Sequence, residues 1–213
     1  MSSIFLNALA NTRLYPLTDR RLSGLSHAEQ VSHLSDGGAT LIQLREKILS
    51  TLQFYQEAAE ALRVARQRGV KIIINDRVDI AMALKADGVH LGQDDLPPQA
   101  ARELLGPEVI IGISTHTVEQ ASTSAKMPID YIAIGPIFST QTKQSPNLAL
   151  GLDGLGQIRQ AVGEIPLVAI GGITSQNSKA VLDAGADAIA VISDIWSYSG
   201  SVASKTERLL NRL

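Results

Sequence analysis

The chain has no cysteine, which excludes disulfides, thiolate metal sites and a cysteine nucleophile. It has no basic tract either. Its 19 Lys and Arg residues face 21 Asp and Glu, so the charge footprint of a nucleic-acid binder is missing. No apolar run approaches the roughly 20 residues of a membrane span. Met1 to Thr12 carries no signal-peptide pattern, since Arg13 and Asp19 come early and no long apolar segment precedes them. A cytoplasmic location is the resulting expectation. No linker composition interrupts the sequence, so residues 1–213 read as a single domain. With 45% apolar and 19% charged residues the chain is globular rather than disordered.

What is present is an alternation of short apolar runs with longer amphipathic segments. The runs that read as strands are Leu14 to Thr18, Thr40 to Leu44, Lys71 to Ile74, Gly88 to Leu91, Val109 to Ser114, Tyr131 to Ile134, Leu167 to Ile170 and Ala188 to Ile192. Ser26-His27-Ala28-Glu29 is a capping box opening a first helix that Gly37-Gly38 closes. Ser50-Thr51-Leu52-Gln53 opens a second in the same style, with Leu52, Tyr55, Ala59, Leu62 and Ala65 on one stripe and Gly69 at its end. Further helices are expected through Ala83, from Pro97-Pro98 to near Gly106, from Thr117, over Gly154 to Val162, over Ser175 to Asp183, and from strand eight to near Leu213. Eight strands alternating with eight helices predict an α/β fold, a single (β/α)8 TIM barrel at this length, with an open doubly wound sheet as the alternative.

One internal regularity supports the closed form. Gly38-Ala39-Thr40-Leu41, Lys85-Ala86-Asp87-Gly88, Pro128-Ile129-Asp130-Tyr131 and Gly185-Ala186-Asp187-Ala188 each lead into an even-numbered strand. Their spacing is 47, 43 and 57 residues.

Polar residues cluster just after the strands, where α/β barrels place their chemistry. After strand three, the run Ile72 to Ile74 stops at Asn75 and Asp76. These deliver an amide and a carboxylate to a site, or else Asp76 caps the next helix with Asp79 at its third position. After strand two, Gln43, Arg45 and Lys47 share a face by alternation, a set suited to a polyanion such as a diphosphate. The alternative is a solvated surface pair, partnered by Glu46. After strand four comes Gly92-Gln93-Asp94-Asp95. Two acidic clusters on adjacent strands fit one hard cation, Mg²⁺, while one of Asp94 and Asp95 is expected only to cap the helix before Pro97. Ser114 stands at the tip of strand five, with Thr117 as a helix cap. His116 is an acid–base candidate or a structural imidazole, and His90 reads as a packed core histidine. His27 and His33 lie on the first helix and call for no function. The loop Gly135 to Gly151 carries Thr140, Thr142 and Lys143; Gly171-Gly172 follows strand seven and Ser193 strand eight, all plausible phosphate contacts.

Read together, Leu14-Tyr15-Pro16-Leu17-Thr18-Asp19, Ile42-Gln43-Leu44-Arg45-Glu46-Lys47, Ile74-Asn75-Asp76, Gly88-Val89-His90-Leu91-Gly92-Gln93-Asp94-Asp95, Gly112-Ile113-Ser114, Gly135-Pro136-Ile137-Phe138 with Thr140-Gln141-Thr142-Lys143, and Ala169-Ile170-Gly171-Gly172-Ile173 resemble thiamine phosphate synthase. The motifs run in order over nearly the whole chain. The resemblance implies a (β/α)8 barrel and a Mg²⁺-dependent transferase. The implied reaction joins hydroxymethylpyrimidine diphosphate to a thiazole phosphate and releases diphosphate, with CO2 lost from a carboxylated thiazole. In the family the diphosphate leaves first, giving a pyrimidine cation. By matching position, Gln43, Arg45, Lys47, Asn75, Ser114 and Lys143 would hold the pyrimidine diphosphate, with Arg45, Lys47, Ser114 and Lys143 acting on the reacting groups. Asp76 and Asp95 would bind one Mg²⁺, and Thr140, Thr142, Gly172, Ile192 and Ser193 the thiazole phosphate. The partners implied are these small molecules, with no nucleic acid and no membrane; a homo-oligomer is compatible with the sequence but not specified by it. Three other readings compete. One is a thiazole tautomerase-like isomerase using His116, another a non-catalytic paralogue that binds thiamine precursors. The third is a generic phosphate-binding barrel.

Overall fold

The computed structural model describes residues 4–10, 12–140, 148–196 and 200–213. In chain order the elements are α1 (Ile4–Ala8), β1 (Leu14–Pro16), α2 (Arg20–Ser23), α3 (His27–Asp36), β2 (Leu41–Leu44), α4 (Thr51–Gln67), β3 (Lys71–Asn75), α5 (Val78–Leu84), β4 (Gly88–Leu91) and α6 (Pro98–Leu105). Then come β5 (Ile110–Thr115), α7 (Val118–Ser124), β6 (Tyr131–Ile134), α8 (Gly151–Val162), β7 (Leu167–Ile170), α9 (Ser178–Asp183), β8 (Ala188–Val191), α10 (Ser193–Trp196) and α11 (Val202–Leu210).

Among the described residues the eight strands form one sheet in the order β1-β8-β7-β6-β5-β4-β3-β2, every hydrogen-bonded neighbour parallel. The two edges meet through a single bridge, Leu17 to Gln43, and the Thr18 N–H donates to the Gln43 carbonyl at 2.9 Å. The sheet is a nearly closed barrel ringed by helices, as the alternation predicts. Among the described residues no helix is long and apolar enough to cross a membrane.

Each strand is buried on both faces, so its sequence reads as an apolar run. Ile72 and Ile74 join the layer beneath the helices, whereas Ile73 points into the barrel with Leu41, Ile110, Val168 and Ala188. Small residues opposite large ones let this interior close. At Gly112 an added Cβ would sit 2.0 Å from the Tyr131 ring, and at Gly88 2.3 Å from Ile73.

Helix α1 was not foreseen, being one turn long and too short to show a period. It fills the N-terminal mouth of the barrel: Phe5 stacks on Tyr131 with centroids 4.0 Å apart and meets Tyr15 edge-on at 5.8 Å. Helix α2 was also unforeseen; Asp19 caps it by accepting from Leu22 N–H at 3.1 Å. Both sequence-read capping boxes are present, at Ser26 with Glu29 and Ser50 with Gln53. The expected stripe on α4 is corrected. Leu52 and Tyr55 are exposed, and the buried face is Phe54, Ala58, Ala61, Leu62 and Ala65, because Phe54 rather than its neighbours reaches the core. Helix α8 starts three residues before the expected Gly154, and the expected last helix is two, α10 and α11.

The spaced Asp residues have a common job. Asp87 accepts from the Ile72 N–H at 2.9 Å and from Lys71 at 2.8 Å. Asp130 takes the Ile111 N–H and the Arg102 guanidinium, both at 2.7 Å. Asp187 takes the Leu167 N–H at 2.8 Å and Arg159 at 2.9 Å. Each carboxylate thus ties the start of an even strand to the strand before it. Thr40 departs from the pattern and donates to the Leu9 carbonyl at 3.0 Å, next to α1. Asp130→Ala would strand the part-buried Ile111 amide and Arg102 Nη2, at a cost of about 2 kcal/mol. A lower urea midpoint at unchanged slope is the expected result; an unchanged midpoint would remove the staple from the account.

Candidate active site

The C-terminal ends of the strands surround a cavity of about 610 Å³. Of the residues singled out from sequence, Gln43, Arg45, Lys47, Asn75, Asp76, Asp95, Ser114, Thr140, Gly172, Ile192 and Ser193 all line it. Thr142 and Lys143 lie outside the described residues.

Gln43 is the last inward residue of β2 and is buried, donating from Nε2 to the Tyr15 hydroxyl at 3.0 Å. The turn after it is held from behind. Thr18 Oγ1 accepts from the Arg45 N–H at 3.0 Å and bonds His27 Nδ1 at 2.8 Å. Glu46 Oε1 accepts from the N–H groups of Lys47, Ile48 and Leu49 at 2.8, 2.7 and 3.2 Å. Its other oxygen faces His27 Nε2 at 3.4 Å. Glu46 therefore turns away from the site and pairs with neither the Arg45 guanidinium nor the Lys47 ammonium. Arg45 pairs instead with buried Asp19, Nη1 to Oδ2 at 2.9 Å. Fully buried His27, for which no function was expected from sequence, is the support for this turn.

Lys47 reaches across to the Asp76 carboxylate. Asp76 sits at φ +62, a left-handed backbone that Asp tolerates better than most residues, and its N–H continues the ladder to the His90 carbonyl at 2.8 Å. The N-cap of α5 is Arg77, with no side-chain cap. The capping reading of Asp76 is thereby ruled out: the carboxylate faces the cavity. Asp79 is spent on Arg77, Oδ1 accepting from Nε at 2.8 Å. The cap expected from Asp94 or Asp95 is corrected too. Pro97 occupies the N-cap of α6 without a side-chain bond, and Asp95 Oδ2 accepts from the Gly92 N–H at 2.6 Å. Burial, then the neighbouring Asp76 carboxylate, pushes the Asp95 pKa up. Asn75 is buried, and its Nδ2 has no hydrogen-bond partner among the described residues. A buried donor without a partner at a cavity wall is costly unless a ligand accepts from it.

Two carboxylates forced together want a cation between them. Among the described residues no group of three or more His, Cys, Asp or Glu could hold a metal. A closed protein cage is therefore not built here. Mg²⁺ commonly uses one or two carboxylates and completes its shell with water and substrate phosphate, so the pair fits that ion.

The opposite wall is glycine-led. Gly171 and Gly172 have φ of +103 and +65, and a Cβ on Gly172 would lie 2.7 Å from Phe138 Cβ. Backbone thus forms this wall, beside Ile192 and Ser193. His116 also lines the cavity, with Nδ1 bonded to the Gly135 carbonyl at 2.6 Å and its N–H to Gln120 Oε1 at 2.8 Å. Sequence reading missed Tyr15 and Tyr131, which look like ordinary core aromatics until their hydroxyls are seen to meet inside the barrel at 3.0 Å.

A family model described as thiamine monophosphate synthase matches residues 14–195. The chain belongs to the thiamine monophosphate synthase family. A thiamine-phosphate synthase of Chloroflexus aurantiacus is 47% identical over 188 residues, covering 88% of this chain and 86% of the relative. One from Clostridium novyi is 48% identical over 186 residues, covering 87% and 91%. Among solved structures, a thiamine phosphate pyrophosphorylase from Pyrococcus furiosus superposes with a TM-score of 0.84 at 38% identity, covering 96% of each chain.

Burial lowers the His27 pKa, and nearby Glu46 and Glu57 only partly oppose it. The unfolded chain therefore takes up a proton at the ordinary histidine value, about 6.5, before the folded one does. Stability is held above that value and lost as pH falls through it. Urea midpoints measured on either side of about pH 6.5 should fall more steeply with acid in the wild type than in His27→Gln. Parallel slopes would show that His27 does not carry the effect.

Proposed function

We propose that this protein joins the hydroxymethylpyrimidine group of a diphosphate ester to a thiazole phosphate, forming thiamine phosphate and releasing diphosphate. With a carboxylated thiazole, CO2 leaves as well. One observation carries the reading. A single cavity holds two cations and a carboxylate pair on one wall, Arg45 and Lys47 with Asp76 and Asp95, and a glycine-led backbone on the other. A diphosphate suits the first wall and a monophosphate the second.

The reacting C–O bond breaks and its electron pair leaves with the diphosphate. The thiazole nitrogen then donates its lone pair to the methylene carbon. That step removes no proton, so no general base is required. The work is positional and electrostatic. Arg45 and Lys47 face the charge that grows on the leaving oxygens, and Lys143 is assigned with them by its place in the motif. Asp19 holds Arg45 in place at 2.9 Å. Asn75 offers its unpartnered Nδ2, and Gln43 and Ser114 orient the pyrimidine. Asp76 and Asp95 would hold Mg²⁺, which supplies positive charge to the departing diphosphate. Thr140, Thr142, Gly172, Ile192 and Ser193 take the thiazole phosphate.

A second reading has one observation behind it. His116 lines the same cavity with Nδ1 committed to Gly135, which leaves Nε2 for proton transfer in a thiazole isomerase. An isomerase has no need of the carboxylate pair.

Purified protein given both substrates and Mg²⁺ should form thiamine phosphate. Asp76→Ala should lower kcat at least ~100-fold, the scale of removing one electrostatic contact to the transition state. Turnover of the thiazole alone, independent of Mg²⁺ and lost in His116→Ala, would favour the isomerase. Tight substrate binding without product would favour a non-catalytic role.

A further inference from the structure

A row of five polar side chains crosses the barrel interior. Gln43 Nε2 donates to Tyr15 Oη at 3.0 Å, and Tyr15 Oη meets Tyr131 Oη at 3.0 Å. Tyr131 Oη meets His90 Nδ1 at 2.8 Å, and His90 Nε2 meets Ser114 Oγ at 2.8 Å. The first four side chains are buried, and Ser114 opens onto the cavity.

The row has a direction. A phenol has one proton. The Tyr15 hydroxyl takes a proton from Gln43 Nε2, and its other described partner is Tyr131 Oη. Its own proton therefore goes on to Tyr131, and the Tyr131 proton to His90 Nδ1; the reverse order would leave a buried phenol proton without an acceptor. Nδ1 is then an acceptor, and the neutral imidazole carries its proton on Nε2, which it gives to Ser114 Oγ. Ser114 accepts there, so its own proton is left for the cavity. Burial pushes both phenol pKa values up, which keeps them neutral links. Gln93 Nε2 holds the Ser114 carbonyl at 2.6 Å, leaving rotation of the hydroxyl as the freedom that His90 removes. The ring is fixed in plane as well, stacking on Tyr131 with centroids 5.5 Å apart.

We propose that His90 is a positioning residue that acts through Ser114, holding its hydroxyl as a hydrogen-bond donor to an acceptor atom of the substrate ring. The substrate side of this inference rests on the functional reading above; the proton direction rests on the row alone.

Two measurements test it. Long-range ¹H–¹⁵N correlation of the histidine rings in the intact free protein, with the His90 signals assigned by their loss in His90→Gln, should show the proton on Nε2 and a bare Nδ1. A proton on Nδ1 overturns the proposal. In kinetics, His90→Phe should lower kcat/KM about tenfold, the worth of one hydrogen bond, and His90→Gln, which keeps a donor at the ε position, should recover part of it. In a Ser114→Ala background, His90→Phe should cost nothing more. Losses that multiply in the double variant would show that His90 does not act through Ser114. If the wild-type protein forms no thiamine phosphate, the functional reading fails, and the His90 tautomer still decides the row.

Discussion

Eight short parallel strands can send only every second side chain into the barrel, and that alternation decides where chemistry can stand. Low in the barrel the inward positions are filled by Leu41, Ile73, Ile110, Val168 and Ala188, with Phe5 of α1 closing the mouth beneath them. Higher up they turn polar: Gln43, Asn75, His90 and Ser114 occupy successive strands. One period of two therefore builds both the plug and the floor of the site. A slip of one residue in any of these four strands would exchange the polar inward group for an aliphatic neighbour bound for the helices, Ile42, Ile74, Val89 or Ile113.

Above this floor the site is a problem of like charges. Asp76 and Asp95 are brought together by a left-handed backbone at one strand tip and by the Gly92 N–H at the next. Lys47 meets one of them directly, and Arg45 is held nearby by Asp19. Each of the two cations has a carboxylate partner without substrate, yet both have donors to give when a polyanion arrives. The supports are less exposed than the groups they support: Thr18, Asp19 and His27 are buried, which fixes the Arg45 turn before any ligand binds.

Much of this was legible in the sequence because the informative signals are local. An apolar run that stops at Asn75-Asp76 is visible without a fold, and so are two capping boxes and a glycine pair after strand seven. The spaced Asp87, Asp130 and Asp187 announced a repeat whose reason, the strand-to-strand staple, needed coordinates. What stayed hidden depends on distance in space. Asp19 and Arg45 are 26 residues apart and His90 and Tyr131 are 41 apart, so no window on the chain pairs them. One-turn helices such as α1 and α2 are too short for a period to register. The capping alternative at Asp76 and the cap expected of Asp94 or Asp95 share a cause: a carboxylate before a helix has the same sequence signature whether it serves the helix or the cavity.

The central claim is that Asp76 and Asp95 form half of a cation site that a diphosphate completes. Calorimetric titration of the protein with Mg²⁺, with inorganic diphosphate, and with each in the presence of the other tests it most directly. The account predicts weak binding of either alone and at least ~10-fold tighter binding together, a coupling of about 1.4 kcal/mol that Asp76→Asn removes. Equal Mg²⁺ affinity with and without diphosphate would contradict it.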